Sequence, residues 1–352
     1  MLSRINQRKL RSIGFYVLGW GMVTIMYLFV RFLGREIPLP TSILVGAGLQ
    51  FALLSGLSQG IYEVFILRDD RFHRPLLESI IFRSLFHATM IFCNLFIVYL
   101  LWQNTESTEM LGHNTPKELA GILEQDELWA FVGFAFASSH AITFVRSVNK
   151  KFGSRVLLNA LLGKYQDPTE EERVFMFIDL RSATTMAEDL GHFSYSAFLR
   201  DYFRLVSNCC VENSGEVYQF AGDGVILTWT ISTCRKRAKP LNCYRDLIVC
   251  FRNTRHRFER KYGTYPQFKV AFHVGRVIAT EVGNFGSEMA YHGDALNTTA
   301  RLQAMCNLLK KEALASESFV RKMPTLEGFR AENQGSYQLK GKKGDLEVYC
   351  IE

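Results

Sequence analysis

Four stretches of this chain, 13–30, 39–62, 84–105 and 128–145, run for at least eighteen residues without Asp, Glu, Lys or Arg. A helix rises about 1.5 Å per residue, so roughly 20 apolar residues cross the hydrocarbon core of a bilayer. Four such runs in succession constrain the first part of the chain to four transmembrane helices surrounded by membrane lipid. A buried helix of a soluble bundle is the alternative for any single run. Gly46, Gly48, Gly56, Gly60, Gly133, Ser138 and Ser139 lie inside the runs, small residues of the kind that let helix backbones approach in lipid. The first run ends at Arg31-Phe32-Leu33-Gly34-Arg35 rather than at a small-residue cleavage site, so it reads as a span and not as a removed leader. Deep in the runs the ionisable side chains are the histidines His87 and His140, which read as packing residues.

Charge orients these spans. Arg4, Arg8, Lys9 and Arg11 precede the first, Arg68, Arg71, Arg74 and Arg83 separate the second from the third, and Arg146, Lys150, Lys151 and Arg155 follow the fourth. The opposite loops hold Arg31 and Arg35, then Lys117 among Glu106, Glu109, Glu118, Glu124, Asp126 and Glu127. The positive-inside rule puts both termini in the cytosol, as in a multi-pass protein of the inner (cytoplasmic) membrane. These flanking cations account for the net charge of +7, and no aromatic–basic module points to nucleic acid. Of eight cysteines only Cys93 lies in a span, and no Cys-x-x-Cys pair occurs, so reduced structural thiols are expected.

A length of 352 residues leaves room for a second domain. The expected division is a membrane domain over 1–148, a cytosolic linker over 149–172 and a catalytic domain over 173–352. In the linker, Val156, Leu157, Leu158, Leu161 and Leu162 form an apolar face ahead of Asp167-Pro168 and Glu170-Glu171-Glu172. It reads equally as a spacer packed on the next domain or as a helix pairing with its twin in a dimer. Beyond it the pattern is strand 173–180, helix 184–208, hairpin 215–230, helix 240–262, strands in 267–282, a helix near 295–310 and strands near 335–350. Strand–helix–strand–strand–helix–strand is a ferredoxin-like α+β core. Such a sheet, with helices on one face, leaves its other face free to meet a partner chain.

Two aspartates carry the chemistry. Asp179 ends the apolar run Val174-Phe175-Met176-Phe177-Ile178, and Asp223 sits in Phe220-Ala221-Gly222-Asp223-Gly224-Val225. Gly222-Asp223-Gly224 between strand-like runs is a hairpin signal that can set Asp223 beside Asp179. Converging carboxylates repel unless cations lie between them, and hard oxygen ligands suit Mg²⁺ or Mn²⁺ on a nucleoside triphosphate. Taken alone, Asp179 reads more readily as a helix N-cap and Asp223 as an ordinary turn residue. A third segment, from His292-Gly293-Asp294 to Asn297-Thr298-Thr299-Ala300-Arg301, turns into a helix with Asn297 and Arg301 on one face. A guanidinium beside a carboxamide suits the charge on a transferring phosphorus and a sugar oxygen.

In this order the segments resemble the class III nucleotidyl cyclases over roughly residues 170 to 352. The likeness rests on Phe177-Ile178-Asp179-Leu180-Arg181-Ser182-Ala183-Thr184-Thr185, Gly222-Asp223, Asn297-Thr298-Thr299-Ala300-Arg301 and Leu339-Lys340-Gly341-Lys342. The resemblance implies cyclisation of a purine nucleoside triphosphate to its 3′,5′-cyclic monophosphate and pyrophosphate, with two Mg²⁺ or Mn²⁺ per site. Asp179 and Asp223, with Leu180 beside them, match the metal set. Asn297 matches the ribose-orienting residue, Arg301 the residue that stabilises the pentavalent phosphorus, and Lys340 the grip on the triphosphate. Ser182, Ala183 and Thr184 open a helix whose free backbone N–H groups suit phosphate, although Ser182 or Thr184 reads equally as a plain N-cap.

The family implies a homodimer in which the metal aspartates of one chain face the Asn/Arg helix of the other. Its base readers fall on Gln219 and Ala290, where adenylyl members carry Lys and Asp or Thr and guanylyl members Glu and Cys. A Gln amide serves either purine edge, and its lack of negative charge favours ATP over GTP. Three alternatives remain: a guanylate cyclase, a diguanylate cyclase, from whose Gly-Gly-Asp/Glu-Glu-Phe hairpin this chain departs, and a membrane receptor that only binds nucleotide.

Overall fold

The computed structural model describes residues 4–33, 41–66, 76–102, 126–152, 164–165, 167–235, 237–283, 288–326, 328–339 and 344–352. The apolar face expected over 156–162 and the candidate phosphate ligand Lys340 lie outside these residues. Contacts divide the chain into two compact units, Met1–Leu157 and Leu158–Glu352.

The first unit consists of helices α1 (Arg4–Phe32), α2 (Thr41–Ile61, running into a π turn at Tyr62–Ile66), α3 (Leu76–Trp102) and α4 (Asp126–Phe152). Three segments of the described residues are long and apolar enough to cross a membrane: Lys9–Arg31, Ile81–Leu101 and Leu128–Ser147. The second expected run is helical as α2 but is not among those three. Glycine sets the contact of α2 with α1, since a Cβ on Gly56 would lie 2.5 Å from Val17 Cα and one on Gly60 3.0 Å from Ile13 Cα. Gly133 does not share this role, because a Cβ there meets nothing within 4 Å.

Polar groups turn inward in this unit. Gln59, 3% exposed, accepts from Trp20 Nε1 (2.6 Å) and donates to Thr143 Oγ1 (2.9 Å) and Ser139 Oγ (3.0 Å). Its Nε2 is also 3.2 Å from His87 Nε2, so His87 joins a hydrogen-bonded cluster instead of only filling space. Leu18, Met22, Phe29, Val30, Leu85 and Phe144 face outward, each about two-thirds exposed.

The second unit begins with β1 (Thr169–Leu180), α5 (Ala183–Glu212), β2 (Glu216–Ala221), β3 (Gly224–Thr230), the single turn α6 (Ile231–Cys234), α7 (Lys239–Tyr262) and β4 (Phe268–Val282). These strands pair antiparallel in the order β2-β3-β1-β4, the ferredoxin-like arrangement expected. β5 (Glu288–His292) folds back on the end of β4, and α8 (Asp294–Leu308) follows it. β6 (Ala313–Ser316), α9 (Glu317–Lys322), β7 (Ala331–Gln338) and β8 (Asp345–Ile351) complete the chain, widening the sheet to β2-β3-β1-β4-β6-β8-β7.

β1 starts at Thr169, so Glu170, Glu171 and Glu172 are strand residues paired with β4 and not part of a spacer. They stay solvated in part, and Glu171 partners Arg173, which is 2% exposed and also bonds Glu216 on β2 (2.8 Å).

Alternation along β1 feeds two layers, since strand side chains point to opposite faces in turn. Val174, Met176, Ile178 and Leu180 pack under α5 and α7 with Phe198, Tyr202, Val206, Leu247 and Phe251. Phe175 packs on the other face with Val277, Tyr291 and Ala295. That second face is not left free as expected: α8 lies across part of it. Gly275 of β4 admits the helix, because a Cβ there would sit 2.6 Å from Ala295 Cβ. All eight cysteines are free thiols.

Candidate active site

Asp179 stands one residue before the end of β1, and Asp223 is the second residue of the loop joining β2 to β3. Gly222, the first loop residue, takes φ 62°, which glycine adopts without strain and which lets two residues reverse the chain. Because Ile178 pairs with Val225, the loop falls next to Asp179. Burial, and then the carboxylate of Asp179 within hydrogen-bond reach, push the Asp223 carboxyl above its ordinary value, with Lys269 pulling the other way. Asp179 Oδ2 accepts from Gln303 Nε2 at 2.8 Å and lies 3.4 Å from Lys269 Nζ. Behind the pair, the Tyr202 hydroxyl is buried without a hydrogen-bond partner, and burial and then the two aspartates raise it well above the usual tyrosine range.

This arrangement fits a divalent cation. Two hard-oxygen carboxylates are held against their mutual repulsion, and a cation between them relieves it. Among the described residues no group of three His, Cys, Asp or Glu side chains is placed to hold a metal ion, so the remaining ligands would come from backbone, water or substrate. Leu180, the third member of the expected set, has its side chain buried in the core at 2% exposure, which leaves only its main chain for such a role.

Ser182 occupies the N-cap position of α5 with φ 54° and ψ 35°, and its side chain makes no capping bond. The first N–H groups of α5, beside Ala183 and the exposed Thr184, are therefore not consumed by the cap. Gly191, with φ 70° and ψ 164°, interrupts α5 after its first eight residues.

Gln219 on β2 is exposed, and Ala290 on β5 is half-buried. Their strands are brought together by the next residues: Tyr218 and Tyr291 pack with ring centroids 4.9 Å apart, and Tyr291 N donates to Tyr218 Oη at 3.4 Å. Asn297 on α8 is exposed, and Arg301, one turn on, is half-buried with its Nη1 enclosed and unpartnered. Arg301 is two residues from Gln303, about 200° around the helix. The face that reaches Asp179 is therefore not the face that presents Arg301. Leu339, the last described residue before Lys340, packs against Leu302 of α8.

Three members of the site have no role in the sequence reading. Lys269 carries a signal, a lysine inside the apolar strand Phe268-Lys269-Val270, where burial to 7% exposure demands an anion. Gln303 and Tyr202 carry none, since their partners are distant in sequence.

The segment 166–352 matches the family model for the adenylate and guanylate cyclase catalytic domain, and the chain belongs to that family of nucleotidyl cyclases. It is 29% identical over 342 residues to adenylate cyclase 2 of Rhizobium meliloti (strain 1021), covering 91% of each protein. Adenylate cyclase 1 of the same organism is 27% identical over 184 residues, covering 51% of this chain and 27% of that protein. Among solved structures, a bacterial light-regulated adenylyl cyclase superposes with a TM-score of 0.51 at 22% identity, and the match covers 62% of this chain and 64% of that one.

Proposed function

We propose that this protein is a membrane-bound adenylate cyclase, active as a homodimer, that converts ATP to 3′,5′-cyclic AMP and pyrophosphate for intracellular signalling. The observation that carries the reading is the meeting of Asp179 and Asp223, with Arg301 turned to the far side of the helix that reaches Asp179. Two ions, Mg²⁺ or Mn²⁺, held by the aspartates would make the substrate's 3′-hydroxyl more acidic and offset the charge of the triphosphate. The 3′-oxygen bonds to the α-phosphorus, the bond from that phosphorus to the bridging oxygen breaks, pyrophosphate departs, and the hydroxyl proton is released. No protein nucleophile is needed, so the chain's residues act by position and charge. The N–H groups at Ser182, Ala183 and Thr184 receive phosphate oxygens, and Lys340 holds the triphosphate. Gln219, beside Ala290, takes the purine edge, and Asn297 orients the ribose.

Arg301 supplies positive charge to the phosphorus in flight. Its enclosed, unpartnered Nη1 supports a role that needs an acceptor from outside the chain. Metal aspartates and phosphate turn thus belong to one chain, and Gln219, Ala290, Asn297, Arg301 and Lys340 to the other. Four spans with both termini cytosolic, and a linker from 149 that ends where β1 begins at Thr169, set this dimer where nucleotide is available. The test is purified full-length protein in detergent with Mn²⁺ and either ATP or GTP, products separated by chromatography. Cyclic AMP as the main product supports the reading. Cyclic GMP alone would make the chain a guanylate cyclase, which the ambivalent amide of Gln219 keeps open, and nucleotide bound without product would make it a receptor.

A further inference from the structure

Asp179 is held from two directions, both within its own chain. Lys269 stands opposite it in the β1–β4 register, and its Nζ also donates to Asn307 Oδ1 at 3.1 Å. Gln303 reaches it from α8, one turn before Asn307, so residues 303 and 307 form one gripping face of that helix. Gln303 and Lys269 are 6% and 7% exposed. The two donors do different things to a carboxylate that must bind a cation. Lys269 brings a full positive charge, which offsets the carboxylate and competes with a metal. The Gln303 amide is neutral: it fixes one oxygen in place and leaves the negative charge available. Both donors meet the same oxygen, Oδ2, so loss of the amide leaves that oxygen to the lysine alone.

We propose that Gln303 is a positioning residue for the cation site, acting through Asp179. It holds this carboxylate on the side of α8 away from Arg301. The inference rests on the metal role read for Asp179 and on the site shared between two chains. It adds a link between them, since the helix that orders one chain's metal aspartate is the helix that offers Asn297 and Arg301 to the other site.

The test begins with Mn²⁺ binding to full-length protein in detergent, followed by electron paramagnetic resonance with 3′-deoxy-ATP, which cannot cyclise. Gln303→Met keeps the volume and removes the donor. Mn²⁺ should bind about tenfold more weakly, the loss typical when the support of a metal ligand is removed, and the Mn²⁺ requirement should move more than kcat. Unchanged or tighter Mn²⁺ binding overturns the proposal.

A second measurement separates positioning from damage to α8. Mixed dimers of Asp179→Ala and Arg301→Ala chains carry one intact site, whose Asp179 comes from the Arg301→Ala chain. Adding Gln303→Met to that chain should raise the Mn²⁺ needed for half-maximal rate about tenfold. On the Asp179→Ala chain it has no carboxylate to act on, and the requirement stays where it was. Equal effects from both chains overturn the proposal. Inactive parent mixed dimers sink the shared-site reading instead, and the resonance titration of the homodimer still decides the role of Gln303.

Discussion

Each half of this molecule buries a glutamine, and the two are used in opposite ways. Gln59 in the helical unit is satisfied by Trp20, Ser139 and Thr143, neutral partners that leave no charge to spend. Gln303 in the cyclase unit leans on Asp179, a carboxylate already crowded by Asp223. The contrast extends to the surfaces. The helical unit hides polar groups and shows Leu18, Met22 and Phe29, while the cyclase unit hides Val174, Met176 and Phe272. Hydrogen bonds inside the first unit therefore hold a shape, whereas the unrelieved charge in the second is a capacity to bind. A substitution in the first should cost stability and spare chemistry, and one at Asp223 should do the reverse.

The largest effect tests the second half of that statement. Asp179→Ala or Asp223→Ala should reduce cyclisation to below a few per cent of wild type with Mg²⁺ or Mn²⁺. Because burial and then the Asp179 carboxylate raise the Asp223 carboxyl, Asp223→Ala should leave the melting temperature unchanged or higher, whereas Asp179→Ala strands the buried Lys269 and Gln303 and should lower it. A large drop in melting temperature for Asp223→Ala would make that carboxylate structural and break the comparison.

The complementary substitution is Gly56→Val, whose side chain would press on the backbone at Val17. Overpacking of this kind costs about 1–3 kcal/mol. The helical unit should unfold earlier in a detergent melt, with kcat of the surviving protein within about twofold of wild type, since no reacting group is touched. Loss of rate without loss of stability would show that the bundle acts directly on catalysis.

Specificity should respond at Gln219. A carboxylate accepts from guanine N1–H but cannot donate to adenine N1, so Gln219→Glu should move the kcat/KM ratio toward GTP by about tenfold. An unchanged ratio, measured with both nucleotides, would place base selection on the main chain.

The smallest effect sharpens the comparison away from the site. Asp201 is gripped by Tyr262 Oη at 2.7 Å and Lys261 Nζ at 2.8 Å. Burial alone would raise its carboxyl, but these donors bring it below the ordinary value. A depressed carboxylate stabilises the fold above its unfolded pKa and loses that contribution as pH falls through the folded one. Asp201→Asn should thus cost about 1 kcal/mol at pH 7, and the gap to wild type should close only in melts taken below the ordinary aspartate range, as pH falls through the lower folded value. A gap that persists in acid would assign the loss to packing.

Sequence alone carried the core strands, the hairpin and the family order, because apolar runs closed by Asp179 and by Gly222-Asp223 are local signals. It did not carry β6, whose Ala313-Leu314-Ala315 favours helix by propensity and is held as strand by parallel pairing with β4. Nor did it carry the partner of Asp179, because Gln303 lies 124 residues away and only the finished sheet brings them together. The helix lying over the second face was missed because a glycine, Gly275, reads in sequence as a weak strand residue and in space as room for Ala295.

The break at Gly191 bears on ligand exchange. An unbroken helix from Ala183 to Glu212 would move its N-terminal end only by dragging Phe198, Tyr202 and Val206 through a packed core. With the axis interrupted, the first eight residues meet the core through their own partly buried contacts, Ala183, Met186 and Leu190, and not through the long segment that follows. In the proposed cycle, taking in nucleotide and letting go of pyrophosphate would then disturb these few contacts and leave the core unrepacked.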